Sequence, residues 1–330
     1  MTLQITLADN NFGWEGHDIY FLNSFDARIA SKKLKINIRE DKVKFNGEFV
    51  INNTSDNIVE VVVGLPSDNI NNLTITDKGN NLRFYSRSNA YVEKNYAYSD
   101  LPNVERWSTV NLWLKQNESR LISINYDYDI ANDNKGVYKV EYISNVMPYD
   151  LGAVETTIIF DGVKPYNIVN TYGVEMSDSF YNKGSQIIFE CDSNNQEVKI
   201  DYELTDDLAV NRLDFSTSNK IKNIAKLYRM KDYETIITNC DEYLANPEDP
   251  AIDNNQIKYM KSEALRRVAR FDEYKEVIKD IDISKLYPNR LKYKLLFDLD
   301  EIYNGEIDDI ELYDAIQVLQ DDALGNNEFI

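Results

Sequence analysis

The chain is poor in the residues on which most recognisable chemistry depends. Of 330 residues, two are cysteine and one is histidine. Two lone thiols, Cys191 and Cys240, cannot staple a fold of the small secreted type. Both read as packing residues, Cys240 in the apolar stripe of a helix and Cys191 at the end of a strand-like run. A single histidine, His17, excludes multi-histidine zinc centres and the His-Glu-x-x-His motif. A Ser-His-Asp triad needs only one histidine, and His17 stands beside Asp18. No Gly-x-Ser-x-Gly elbow accompanies it, so a satisfied turn or surface histidine is the simpler reading. Neither a Gly-x-x-x-x-Gly-Lys-Ser phosphate loop nor a Gly-x-Gly-x-x-Gly fingerprint is present, which leaves nucleotide chemistry without a foothold. No run approaches the roughly 20 apolar residues of a membrane span. The 36 Lys and Arg against 56 Asp and Glu, a net charge of -20, argue against nucleic acid or anionic lipid as a partner. These absences imply a protein that is not an enzyme and needs no cofactor or metal. Asp127, Asp129, Asp133 and Asn134 gather oxygen enough for calcium, but they do not match the EF-hand loop and read as solvated turn residues.

What is present has two periods. From about Ile19 to Leu204 apolar residues recur at every second position, as in strands that bury one face. Leu34, Ile36 and Ile38 alternate with Lys33, Lys35 and Asn37; Val43, Phe45, Gly47, Phe49 and Ile51 follow the same rule. Asn-, Asp- and Gly-rich turns punctuate these runs. An α+β, two-domain protein is expected: an antiparallel β-sandwich, one large or two small, over residues 19-205, then a helical repeat over 206-330. Phe49 to Asp56 leading into Val61-Val62-Val63-Gly64-Leu65-Pro66 resembles the opening of exported bacterial β-sandwich domains of unknown function. Residues 1-18 read as a tail or a signal-peptide remnant, with Thr6 and Ala8 at small-residue cleavage positions. That implies an exported or cell-surface protein, or a cytoplasmic one if Met1 is the true start.

Beyond Leu204 the period becomes 3.6. Ile221, Ile224, Ala225 and Tyr228, then Tyr233, Ile236, Ile237 and Cys240, form one helical hairpin; a second runs through Ile257 to Ile281 and a third from Leu291 to Leu319. Ala225 to Ile237, with its Asp232-Tyr233-Glu234 opening of a second helix, resembles the centre of a tetratricopeptide repeat; Arg270-Phe271-Asp272-Glu273 repeats it, and Tyr303 to Asp308 is a poorer copy. The spacing is slightly longer than the roughly 34 residues of that family. Lys231 and Arg270 replace the usual turn glycine, and Tyr274 a small residue.

Charge alternates with the helices. In each hairpin the first helix is basic and the second acidic. The tetratricopeptide resemblance implies that first helices line a concave face, which would make that face positive. Lys222, Lys226, Arg229, Lys258, Lys261 and Arg266 are then the candidate contacts for an acidic peptide or protein partner. Complementation of helix dipoles and pairing between neighbouring helices account for part of the same pattern. A second candidate surface is aromatic: Tyr91, Tyr96, Tyr98, Trp107 and Trp113, near Tyr85, would stack on a carbohydrate or cell-envelope ligand if exposed and pack as core if not.

Overall fold

A computed structural model describes residues 13-303 apart from 24-25, 40, 97-100, 103, 133-135, 145-153, 163, 174-185 and 192-195. In chain order the strands are β1 (Trp14–His17), β2 (Tyr20–Phe21), β3 (Ala27–Arg39), β4 (Lys42–Asn53), β5 (Val59–Pro66), β6 (Asn71–Asp77), β7 (Asn80–Asn81) and β8 (Tyr85–Ser88). After helix α1 (Asn89–Asn95) come β9 (Arg106–Leu114), β10 (Ser119–Asp129), β11 (Val137–Ser144), β12 (Glu155–Asp161), β13 (Ile168–Tyr172), β14 (Gln186–Cys191) and β15 (Gln196–Glu203). Six helices follow: α2 (Thr205–Asp214), α3 (Asn219–Arg229), α4 (Tyr233–Ala245), α5 (Asn254–Arg267), α6 (Phe271–Lys279) and α7 (Asn289–Tyr303). The chain divides into two compact units, Met1–Val163 with Asn170–Asp201, and Lys164–Val169 with Tyr202–Ile330.

The strands form three sheets, in the orders β1-β11-β15-β13, β14-β12-β3-β4-β10-β6-β7 and β2-β5-β9-β8. Two pairs, β1 with β11 and β3 with β12, run parallel. The expected all-antiparallel sandwich is therefore corrected to a mixed, three-sheet arrangement, because β1 and β12 join strands distant in sequence rather than closing hairpins. Residues 14-18, grouped on sequence with the tail, are also corrected: β1 is paired, and Trp14 and Asp18 are buried.

Alternation along β3 and β4 places Leu34, Ile36, Ile38, Val43, Phe45, Phe49 and Ile51 inward. Phe45 faces Tyr126 across β4 and β10, and their rings stack at 4.7 Å; Trp14 tilts against Phe45 at 6.0 Å. Gly47 sits at an inward position because a Cβ there would lie 2.7 Å from the Phe45 ring and 2.8 Å from that of Phe49. A bulge between Ile29 and Ser31 lets Ile29 and Lys32, three positions apart, both turn inward. There the Lys32 ammonium lies 2.5 Å from Asp18 Oδ2, and the Tyr142 hydroxyl donates to Asp18 Oδ1 at 2.5 Å.

In the helical unit the predicted apolar stripes of α3 to α7 form one core, joined by Ala209, Val210 and Leu213 of α2; the predicted closing helix of the third hairpin, Leu312 to Leu319, lies outside the described residues. The turns between paired helices close alike. Lys231 and Ala269 adopt left-handed φ of 60° and 59°, while the following N–H groups of Asp232 and Arg270 donate to Leu227 and Leu265 carbonyls at 3.0 and 2.9 Å. The second turn's glycine-type position is thus Ala269 rather than Arg270. The loop before α3 is tied down by Asp249. Its carboxylate accepts from Ser216 Oγ at 2.6 Å, Thr217 N at 2.7 Å and Ala251 N at 2.9 Å, and these donors, Ser216 first, hold it well below the usual carboxylate range. A depressed native pKa contributes stability that is present above the unfolded value, about 3.9, and lost as pH falls through the native one. Asp249→Asn is expected to lower the melting temperature at neutral pH and to flatten its decline below about pH 4. Identical melting curves for both proteins across an acid titration would refute this.

Candidate functional site

Some of the bases expected to meet a partner are met instead by a helix of the same chain. Asp206 and Asp207 in the first turn of α2 and Arg212 in its last complement the helix dipole, and Ala209, Val210 and Leu213 supply a buried stripe. This short helix packs against α3, α5 and α7, the helices that open the three predicted hairpins. Its acids meet their bases. Asp206 Oδ2 accepts from the Tyr228 hydroxyl at 2.5 Å and Arg267 Nη2 at 3.0 Å, with Arg266 at 4.0 Å. Asp214 and Asn211 engage Arg229.

Behind this contact lies a buried ionic network. Glu263, 1% exposed, accepts from Lys294 Nζ at 2.5 Å and from Arg266 at 2.6 Å; Lys294, 4% exposed, also reaches Asp298 at 2.6 Å. Tyr274 donates to Asp298 at 3.0 Å, and the Lys294 ammonium lies 5.5 Å from the centre of the Tyr259 ring. Burial pushes the Glu263 carboxyl up, with Lys294 pulling against it. For Asp206 burial acts in the same direction, but Lys294, Tyr228 and Arg267 more than offset it and the carboxyl falls below its ordinary range. Burial pulls Lys294 down while Glu263 and its other anionic neighbours pull it up, and they prevail, so the ammonium stays protonated.

Four of the six bases predicted to meet a partner are therefore engaged within the unit. Arg229 pairs with Asp214, Arg266 with Glu263, Lys258 with Asp280 at 2.7 Å and Lys261 with Asp241 at 2.5 Å. Lys222 and Lys226 are exposed on α3 and make no ion pair among the described residues. The signal for α2 was present as Ala209, Val210 and Leu213 behind two acids, but the segment is short and its partners lie up to about ninety positions further along the chain.

The aromatic candidates separate by depth. Trp107 is 0% exposed, packed by Tyr20, Leu22, Val62 and Val92, and its indole N–H donates to Asn89 Oδ1 at 2.9 Å. It is core and is withdrawn from the candidate ligand surface. Trp113, six residues along the same strand and on the same side of the sheet, is 60% exposed. The difference arises from α1, which lies over the Trp107 end. Ser88 caps this helix by accepting from Tyr91 N at 3.3 Å. Register places Glu60 beside Trp113, Val62 beside Asn111 and Tyr85 beside Thr109 on that outer face. Asn111 Nδ2 donates to Glu60 Oε1 at 3.0 Å. Tyr85 and Tyr91 are exposed, Tyr96 is half-buried with its ring edge-on to Tyr91 at 6.5 Å, and Tyr98 lies outside the described residues.

Other sequence candidates are not assembled. His17 Nε2 lies 2.7 Å from Glu15 Oε1, whereas Asp18 is held by Lys32 and Tyr142, so the adjacent pair forms no dyad. Asp127 accepts from Asn72 at 2.8 Å, and Asp129 pairs with Lys42 at 3.1 Å. Among the described residues no group of His, Cys, Asp and Glu gathers as a metal site. Asp133 and Asn134 lie outside them.

No family model matches the chain and no curated protein matches it, so the tetratricopeptide likeness stays a resemblance. Among solved structures the chain is similar to a Legionella pneumophila protein described as a "putative nutrient binding protein", at 12% identity over 78% of this chain and 98% of that one, with a TM-score of 0.46. It is also similar to yeast LTA4 hydrolase, at 10% identity, 53% and 29% coverage and a TM-score of 0.32. An M1 zinc metallopeptidase from Deinococcus radiodurans matches at 9% identity, 55% and 43% coverage and a TM-score of 0.32. The chain spans less than half the length of either enzyme. Likenesses this faint carry no argument about what this chain binds or does.

The ionic network makes a sharp stability prediction. Lys294→Met, which strands Glu263 and Asp298 without their ammonium, is expected to cost about 3–5 kcal/mol in denaturant unfolding, whereas Lys294→Met combined with Glu263→Leu recovers part of that loss. Strict additivity of the two substitutions would refute the coupling.

Proposed function

We propose that the chain is a non-enzymatic binding protein and that its ligand is a carbohydrate, of the kind found in cell envelopes, lying along the outer face of the β2-β5-β9-β8 sheet. The observation that carries this reading is Trp113. A tryptophan 60% exposed on a paired strand offers a rigid apolar ring to solvent, and beside it the Asn111–Glu60 pair supplies a donor and an acceptor for hydroxyl groups. The exposed rings are strung out rather than clustered. Trp113 and the row holding Thr109 and Tyr85 are separated by roughly 14 Å at about 3.4 Å per residue, which suits a linear ligand better than the centred hot spot of a protein interface. A carbohydrate of this kind fits an exported or cell-surface protein.

An acidic protein partner is the second reading, now carried by Lys222 and Lys226 on α3, because the other candidate bases have carboxylates of their own.

The two tryptophans distinguish ligand from core. Trp113→Ala is expected to leave the melting temperature within a degree or two, since an exposed side chain contributes little packing, and to weaken oligosaccharide binding by at least about tenfold in calorimetry. Trp107→Ala is expected to unfold the sheet instead, at a cost of about 3–5 kcal/mol. Full binding by a folded Trp113→Ala protein would sink the carbohydrate reading. For the second reading, reversal of Lys222 and Lys226 to Glu is expected to abolish capture on an acidic-peptide array, and unchanged capture would dismiss it.

A further inference from the structure

Two arginines lie against the exposed aromatic rings at the β8 end of this sheet. Arg83, just before β8, has its guanidinium carbon 5.2 Å from the centre of the Tyr85 ring. Arg87, on β8, lies 5.3 Å from that ring and 4.6 Å from the ring of Tyr91 on α1. Neither has a carboxylate among the described residues, although the chain carries 20 more acids than bases. Arg120, in the large sheet, is held differently, by Glu118 at 2.7 Å and Asp77 at 3.6 Å.

Arg87 is also held rather than loose. Its Nε is enclosed and makes no hydrogen bond. Contact with two rings holds the guanidinium in place, and because Nε is shut in, the two terminal amino groups form the edge left to a ligand. That edge is a planar pair of parallel donors, the fork that meets a carboxylate in a bidentate contact. Pairing of Arg87 with Trp107 and of Tyr85 with Thr109 sets this fork on the same face as Trp113, further along the direction in which the exposed rings are strung out.

We propose that Arg87, with Arg83 beside it, is an anion subsite that reads the carboxylate of an acidic sugar, so that the ligand of this face is a uronic-acid-containing glycan. The inference rests on the carbohydrate reading above and narrows it. A ring of the glycan covers Trp113, the chain runs along β9, and a carboxylate closes on the Arg87 fork. Tyr85 and Tyr91 act here as walls that position the guanidinium, which lies against both rings.

The test is a glycan array printed with neutral, uronic-acid, methyl-esterified uronic-acid and sulfated oligosaccharides, probed with the full chain. Retention of the uronic acids is expected, with the methyl esters weaker by at least about tenfold. Arg87→Ala is expected to lose the same preference, Arg87→Lys to fail to restore it because an ammonium lacks the fork, and Arg83→Ala to reduce it by less. Should Arg87→Ala not fold, the comparison of acid with methyl ester on the native chain decides alone. Equal retention of acid and ester, or a preference for sulfated members, overturns the carboxylate subsite, and the carbohydrate reading then still stands if Trp113→Ala abolishes retention. Silence across the whole array overturns both.

Discussion

A carboxylate removed from water must find a cation or a full set of hydrogen-bond donors, and each unit is arranged around that requirement. In the helical unit Glu263 and Asp206 are almost without solvent access and are served by Lys294, Arg266 and Arg267 from α5 and α7. In the β unit Asp18 is served by Lys32, which a bulge in β3 helps to bring inward along with Ile29. Desolvating such groups costs several kcal/mol for each ion, and only close pairing with further hydrogen bonds offsets it. The pairs therefore restrict which helix can lie against which. An apolar substitute would stabilise as well but would not specify the partner.

The same requirement decides which cations remain for a ligand. Helix α2 brings Asp206 and Asp214 to the face where an acidic partner was expected, and Arg229 and the Arg266–Arg267 pair are spent there. Lys258 and Lys261 are matched by acids from neighbouring helices. The bases without a carboxylate differ in how they are held. Lys222 and Lys226 make no ion pair among the described residues and are freely exposed, a state that costs a lysine nothing. Arg87 has no carboxylate among the described residues while it packs against two tyrosine rings with an enclosed Nε, which is a less comfortable state and a more specific one.

Much of the fold could be read from one-dimensional periodicity. The inward residues of β3 and β4 follow the two-residue alternation, and the stripes of α3 through α6 follow the 3.6-residue period, because both are local consequences of backbone geometry. The parallel pairings of β1 with β11 and of β3 with β12 left no such trace, since they join segments more than a hundred residues apart. Helices α1 and α2 were missed for a related reason. Each is short, and each owes its stability to the surface it covers, Trp107 in one case and the opening helices of the hairpins in the other.

The candidate sites divide in the same way. Sequence alone determined the residue types available: a chain with one histidine and no nucleotide loop, basic helices alternating with acidic ones, and a crowd of rings between Tyr85 and Trp113. Tertiary structure decided their state. It buried Trp107 under α1 while leaving Trp113 bare, although both project from the same side of one strand. It matched four of the six candidate bases with acids of the same unit, and it set Arg87 against two tyrosine rings with no carboxylate among the described residues. Exposure and charge compensation are properties of what lies opposite a residue in space, and no local pattern of residues contains them.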